Sequence, residues 1–165
     1  MNAIVAREVK VADEVFVAVA LLHRESPNRE DFTITEIVER AKQENLFGSL
    51  RPGVRVHVSS HCVANRPPRP ARNAMLYATG DNRRRLLRAG DHVNADRTGK
   101  IFPEPGNLPA KYRELIDWAK ARYAQGGGEP VRWLEGLFQM SATGTDIWKG
   151  EDPDEYVRRL REGWE

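Results

Sequence analysis

Three consecutive glycines, Gly126-Gly127-Gly128, constrain this 165-residue chain more than any other feature. A run of this kind has no side chains to pack and reads as a flexible linker. It sets off residues 1–125, long enough for one hydrophobic core, from residues 129–165, a piece too short to bury much surface alone.

The first part contains helix signals before any strand signal. Ala12, Val15, Phe16, Val19 and Leu22 recur at helical spacing and predict a helix from about Val9 to Arg24, closed by Ser26-Pro27-Asn28. Phe32-Thr33-Ile34 suits a short extended segment. Thr33 or Thr35 can cap a second helix, Glu36 completing a capping box with Thr33, with Ile37, Val38 and Ala41 as its core face and Gly48 as its stop. Val54, Val58 and Cys62 repeat every four residues and predict a third helix over 54–65, ended by Pro67, Pro68 and Pro70. Ala74–Ala78 and Arg84–Arg88 flank the turn signal Gly80-Asp81-Asn82 and predict a hairpin. After an irregular stretch, Tyr112, Leu115, Ile116, Ala119 and Tyr123 mark a helix from about Pro109. The expected class is mainly α with a small β-hairpin, in the order of a winged helix-turn-helix, followed by a helical tail that depends on a partner.

Charge points to a polyanion. Residues 51–100 hold 11 Lys+Arg against 3 Asp+Glu, a net +8, whereas the whole chain carries only +2. With Val54, Val58 and Cys62 facing inward, the third helix turns Arg55, His57, Ser59, Ser60 and His61 toward flanking or outer positions. These are side chains able to contact base edges or phosphates. Arg66, Arg69 and Arg72 follow in a proline-stiffened strap, and Arg83, Arg84, Arg85 and Arg88 crowd the expected wing. A solvated basic face is the alternative reading of the same charges.

The segment resembles winged-helix domains of bacterial and archaeal regulators and of restriction-type proteins. The residues that carry the likeness are His61-Cys62-Val63-Ala64-Asn65, Arg88-Ala89-Gly90-Asp91, and Pro109-Ala110-Lys111-Tyr112 leading to Trp118. The likeness implies double-stranded DNA as a partner. A winged helix that binds protein instead of DNA is the other reading.

His57 and His61 lie four residues apart but lack the intervening Glu of a metalloprotease helix and a third ligand. Cys62 is the single cysteine and falls on the apolar stripe, so it reads as a core residue. Asp91, His92 and Asp96 read as turn caps rather than an acid–base cluster. No cofactor, no metal and no catalytic residue is expected. The longest apolar run, Val15 to Leu22, is too short to span a bilayer, and no signal-peptide pattern opens the chain, so a cytoplasmic protein is expected.

The tail holds three of the four tryptophans. Val131–Met140 reads as a short apolar helix. Asp152-Pro153-Asp154-Glu155 opens another with a capping box, and Tyr156, Val157, Leu160 and Trp164 form its apolar stripe. Aromatic density of this kind suits interface anchors. The run Gly144-Thr145-Asp146-Ile147-Trp148-Lys149-Gly150, then Asp152 through Trp164, is similar to the C-terminal region of VapB-type antitoxins. That resemblance implies a PIN-domain ribonuclease toxin, VapC-like, as partner. It implies that Trp148, Tyr156, Val157, Leu160 and Trp164 anchor the toxin. It also implies that Arg158, Arg159 or Arg161 enters its acidic, metal-binding pocket. A homo-oligomer could then assemble through the toxin complex. The expected function is a type II antitoxin that binds its operator and neutralises the ribonuclease. A stand-alone regulator with a dimerising tail, a restriction-associated DNA-binding module, and a tail folded back on residues 1–125 stay open.

Overall fold

The computed structural model describes residues 9–126. The chain divides into two units, Met1–Gly127 and Gly128–Glu165, and the described residues all belong to the first. Every residue expected to contact a toxin, from Trp148 to Trp164, lies outside the described residues.

The first helix, α1 (Val11–Glu25), runs through the centre of the unit. The sequence predicts a single apolar stripe, yet every residue from Ala12 to Ala20 is buried. The helix is covered on several sides, by α2 (Ile34–Glu44), α3 (Gly53–Val56), α4 (Arg113–Ala124) and strand β3 (Arg83–Leu86). Full enclosure brings two acids inside. Glu14 takes two hydrogen bonds from Arg51, at 2.8 and 2.9 Å, and Asp13 pairs with Lys100. A buried carboxylate without a partner would be very costly, so these pairs fix where 51 and 100 can lie.

The capping box of α2 forms as expected. The Glu36 amide donates to the Thr33 hydroxyl, and the Thr33 amide donates to the Glu36 carboxylate. Arg29 adds two further bonds to that carboxylate, and together they hold Glu36 at about 2, well below the usual carboxylate range. The helix ends at Asn45, whose left-handed backbone (φ 51°) closes the last turn.

The third helix is shorter than the sequence pattern predicts. α3 continues as a π turn over His57–His61, and residues 62–65 leave the helix altogether. They run instead beside β2 (Leu76–Gly80), where Ala64 donates to the Leu76 carbonyl at 2.7 Å and Val63 bridges Leu76 in parallel. The Asn65 side-chain amide both donates to and accepts from Ala78. An exposed strand edge needs hydrogen-bond partners, and this segment supplies them.

The hairpin forms as β2 and β3. The extended segment at 32–34 becomes β1 (Phe32–Thr33), so the sheet has three antiparallel strands in the order β1-β3-β2. Phe32 faces Arg84 across one pair, and Leu76 faces Leu86 across the other. The described unit is thus mainly helical with a small antiparallel sheet. Val15, Phe16, Val19, Phe32, Ile37, Val58, Cys62, Leu76, Leu115 and Ile116 meet in one core. A 3-10 turn at Ala110–Tyr112 leads directly into α4, and Lys111 and Tyr112 hydrogen-bond Glu44 to tie it to α2. Among the described residues, no helix is long and apolar enough to cross a membrane.

Gly99 is a close-approach position. Its amide donates to the Arg72 carbonyl at 2.9 Å, and a Cβ there would stand 2.6 Å from that oxygen and 2.8 Å from the Asn73 nitrogen. Both are backbone atoms with little room to move. Gly99→Ala is therefore expected to destabilise the unit by about 1–3 kcal/mol, as overpacking does. It should also speed proteolytic cleavage after Arg72. Unchanged unfolding and cleavage would show that the strap does not need this approach.

Candidate nucleic-acid interface

Three segments converge at the C-terminal end of the third helix, and two buried arginines join them. The first is Arg84, on β3, which has no exposed surface. Its Nε donates to the Val58 carbonyl at 3.1 Å and its Nη2 to the Ser59 carbonyl at 3.0 Å. Its Nη1 donates to the carbonyls of Gly80, Asp81 and Arg83 at the hairpin turn. The last carbonyls of a helix lack intrahelical partners and carry its negative dipole end, so a guanidinium suits both needs. Arg84 thereby bolts the helix to the hairpin tip. Burial lowers its pKa to about 10, which leaves it charged at neutral pH.

The second is Arg97, also buried. Its guanidinium donates to Ser60 and His61 at 2.7 and 2.8 Å, and to Arg66, Pro67, Ala71 and Asn73 at 2.8 to 3.1 Å. Four of these six carbonyls belong to the proline strap. Together with Gly99, Arg97 holds the strap against the end of the third helix. Its signal in the sequence is faint, because one arginine in an irregular stretch looks like any surface charge. The prolines are the better clue: they donate no backbone hydrogen bonds, so a chain rich in them needs an outside donor for its carbonyls.

The side chains expected at a nucleic-acid surface divide into two groups. Arg55, Arg69 and Arg72 are exposed, and no carboxylate pairs with them among the described residues. Arg66 is partly exposed and lies 3.6 Å from Asp81 at the hairpin tip. His57 and His61 are half-buried, with rings edge to face at 4.8 Å. His57 Nδ1 donates to the Gly53 carbonyl at 2.9 Å, and burial pulls its pKa below the usual range. The Ser59 hydroxyl donates to the Arg55 carbonyl at 2.7 Å and the Ser60 hydroxyl to the Val56 carbonyl at 3.2 Å. Each serine has thus used its proton on the helix and offers an acceptor oxygen outward.

The other group corrects the picture of a wing crowded with free arginines. Arg84 faces inward, onto the helix carbonyls. Arg85 is also buried: it forms a bidentate pair with Asp91 at 2.7 and 2.8 Å and lies over the Tyr77 ring. Arg88 is bound to Glu30 at 2.9 Å. Arg83, 45% exposed, pairs through Nε with Asp31 at 2.6 Å, and Asp31 also accepts from Thr79. Charge counting alone cannot separate these from solvent-facing arginines. The strand alternates faces, so Arg84 must point opposite to Arg83 and Arg85, toward the helices. Arg85 and Arg88 find their acids in Asp91 and Glu30.

The remaining candidates are structural. Burial works against charge on Asp91, but the bonds from Arg85 and from the Arg88 amide prevail and hold it below the usual carboxylate range. Cys62 is buried in the core, and burial pushes its thiol up to about 12. Among the described residues, no three His, Cys, Asp or Glu side chains group as metal ligands. Val56, on the outer side of α3, was not singled out by the sequence pattern, although it is 46% exposed. No family model, curated protein or solved structure matches the chain.

Proposed function

We propose that residues 9–126 form a winged-helix module that binds duplex DNA, and that the chain acts as an antitoxin whose tail holds a PIN-domain ribonuclease. The observation that carries the DNA reading is the convergence of the third helix, the strap and the hairpin tip, joined by Arg84 and Arg97. Arg55, Arg69 and Arg72 project from this assembly without acidic partners among the described residues. The order helix, strand, helix, helix, strand, strand and the sheet order β1-β3-β2 support the winged-helix reading. In it the third helix enters the major groove while the strap and hairpin tip lie on the backbone. The antitoxin reading rests on the likeness of residues 144–164 to antitoxin tails, and it assigns the chain no catalytic step.

A single set of measurements tests both halves. The full chain is titrated with duplex DNA across a range of salt. Arg69→Ala and Arg72→Ala should each flatten the log–log salt slope by about 0.9, the loss of one phosphate contact. Unchanged slopes would remove the strap from the interface. Residues 1–128 should keep DNA binding but fail to co-purify with the product of the adjacent gene, which the full chain captures. Equal capture by both would remove the tail as the neutralising element.

A further inference from the structure

The outward face of the third helix has one member that charge does not explain. Leu50 and Val56 are the exposed large hydrophobic residues among those described, at 40% and 46%. Leu50 sits in the connection before the helix. Val56 lies on the helix itself, between exposed Arg55 and the Ser59–Ser60 pair. Isolated exposed apolar residues are common on protein surfaces and need no function. The setting of Val56 is narrower than that. Its neighbours on the outer face offer a cation at Arg55 and hydroxyl oxygens at Ser59 and Ser60, both already donating to the helix backbone. The strap, held by Arg97 against the Ser60–His61 end of the same helix, carries Arg69 and Arg72 without acidic partners among the described residues. A surface with this charge disfavours a cationic occupant and favours a polyanion that also offers a small apolar group.

The major groove of DNA has one such group, the 5-methyl of thymine. We propose that Val56 is a specificity-determining residue that packs against a thymine methyl in the major groove. This inference rests on the DNA-binding reading of residues 9–126. It follows from side-chain chemistry: the branched Val56 side chain has no donor or acceptor, so it can tell thymine from cytosine only through the methyl. It gains nothing from phosphate.

The test uses the full chain and duplexes selected for binding from a randomised pool. In the best duplex each thymine is replaced in turn by deoxyuridine, which removes the methyl and leaves base pairing intact. One such replacement should weaken wild-type binding about fourfold, the worth of one buried methyl group. Val56→Ala should bind the thymine and uracil duplexes equally, while Leu50→Ala should keep the fourfold preference. The proposal is overturned if no thymine matters to the wild type, or if the preference survives in Val56→Ala. It is also overturned if Val56→Ala changes the sedimentation of the DNA-free protein and leaves the thymine preference intact. The valine would then face a second copy of the chain. Binding without methyl sensitivity removes only the role of Val56, whereas failure of the wild type to bind any duplex removes the DNA reading itself.

Discussion

Arg84→Ala is expected to lower the stability of residues 9–126 by about 3–5 kcal/mol, the range for breaking a buried charged network. The side chain has no exposed surface and satisfies five carbonyls with its three nitrogens. Truncation strips the donor from the Val58 and Ser59 carbonyls and leaves a cavity between helix and hairpin. Arg84→Lys keeps the charge, but a single ammonium has three donors and no planar fork, so it cannot span both segments. It should recover only part of the loss. Urea unfolding measures the effect directly. DNA binding supplies the contrast with a phosphate contact. An undiminished unfolding midpoint together with a salt slope reduced by about 0.9 would place Arg84 on the DNA backbone instead.

Acidification is expected to act through His23. The residue is buried at the end of α1. Its Nε2 accepts a hydrogen bond from the Leu86 amide at 3.3 Å, and its ring lies edge-on to Phe32. Burial lowers its pKa from 6.5 to about 3; Arg122, Arg88 and Arg85 nearby push the same way, and Asp31 opposes them. Above pH 6.5 both folded and unfolded chains hold it neutral, and the stability is complete. Below 6.5 the unfolded chain takes up a proton that the folded chain refuses. Stability should therefore fall by about 1.4 kcal/mol per pH unit down to about 3, roughly 5 kcal/mol across the window. Glu36, held at about 2, adds a loss of the same sign as its carboxylate protonates below 4.5. The interval from pH 6.5 to 5 separates the two. His23→Gln keeps an acceptor for Leu86 but cannot titrate; His57, also lowered by burial, weakens both proteins alike, so from pH 6.5 to 5 the wild type should lose about 2 kcal/mol more than His23→Gln. Parallel curves would mean that His23 titrates in the fold as it does in the open chain.

The helices and their boundaries were largely legible in the sequence, because they depend on neighbours three or four residues away. The α1 stripe, the Thr33–Glu36 box and the Tyr112–Tyr123 periodicity each contain their own signal. The sequence pattern overextends the third helix because Val54, Val58 and Cys62 keep helical spacing to the point where the chain departs to cover the edge of β2. That departure answers a need of Leu76 and Ala78, which stand 13 or so residues downstream.

The candidate interface was half legible. Arg55, Arg69 and Arg72 could be named because the proline strap and the helical phase predict their exposure. Arg84, Arg85 and Arg88 could not be told from them, since one guanidinium serves equally as a phosphate ligand, an acid's partner or a cap for backbone carbonyls. Choice among these roles depends on what lies within 3 Å, and that is decided by segments distant in the chain. Arg97 reaches back over 30 residues to the strap, Arg84 reaches 25 to Ser59, and Lys100 reaches 87 to Asp13. By itself the sequence determined the local elements, the division at Gly126-Gly127-Gly128 and the density of positive charge over 51–100, because each is set by composition or short-range spacing. Only the tertiary structure decided which arginines are spent inside and which face solvent, because a buried charge survives only where partners from elsewhere in the chain converge on it.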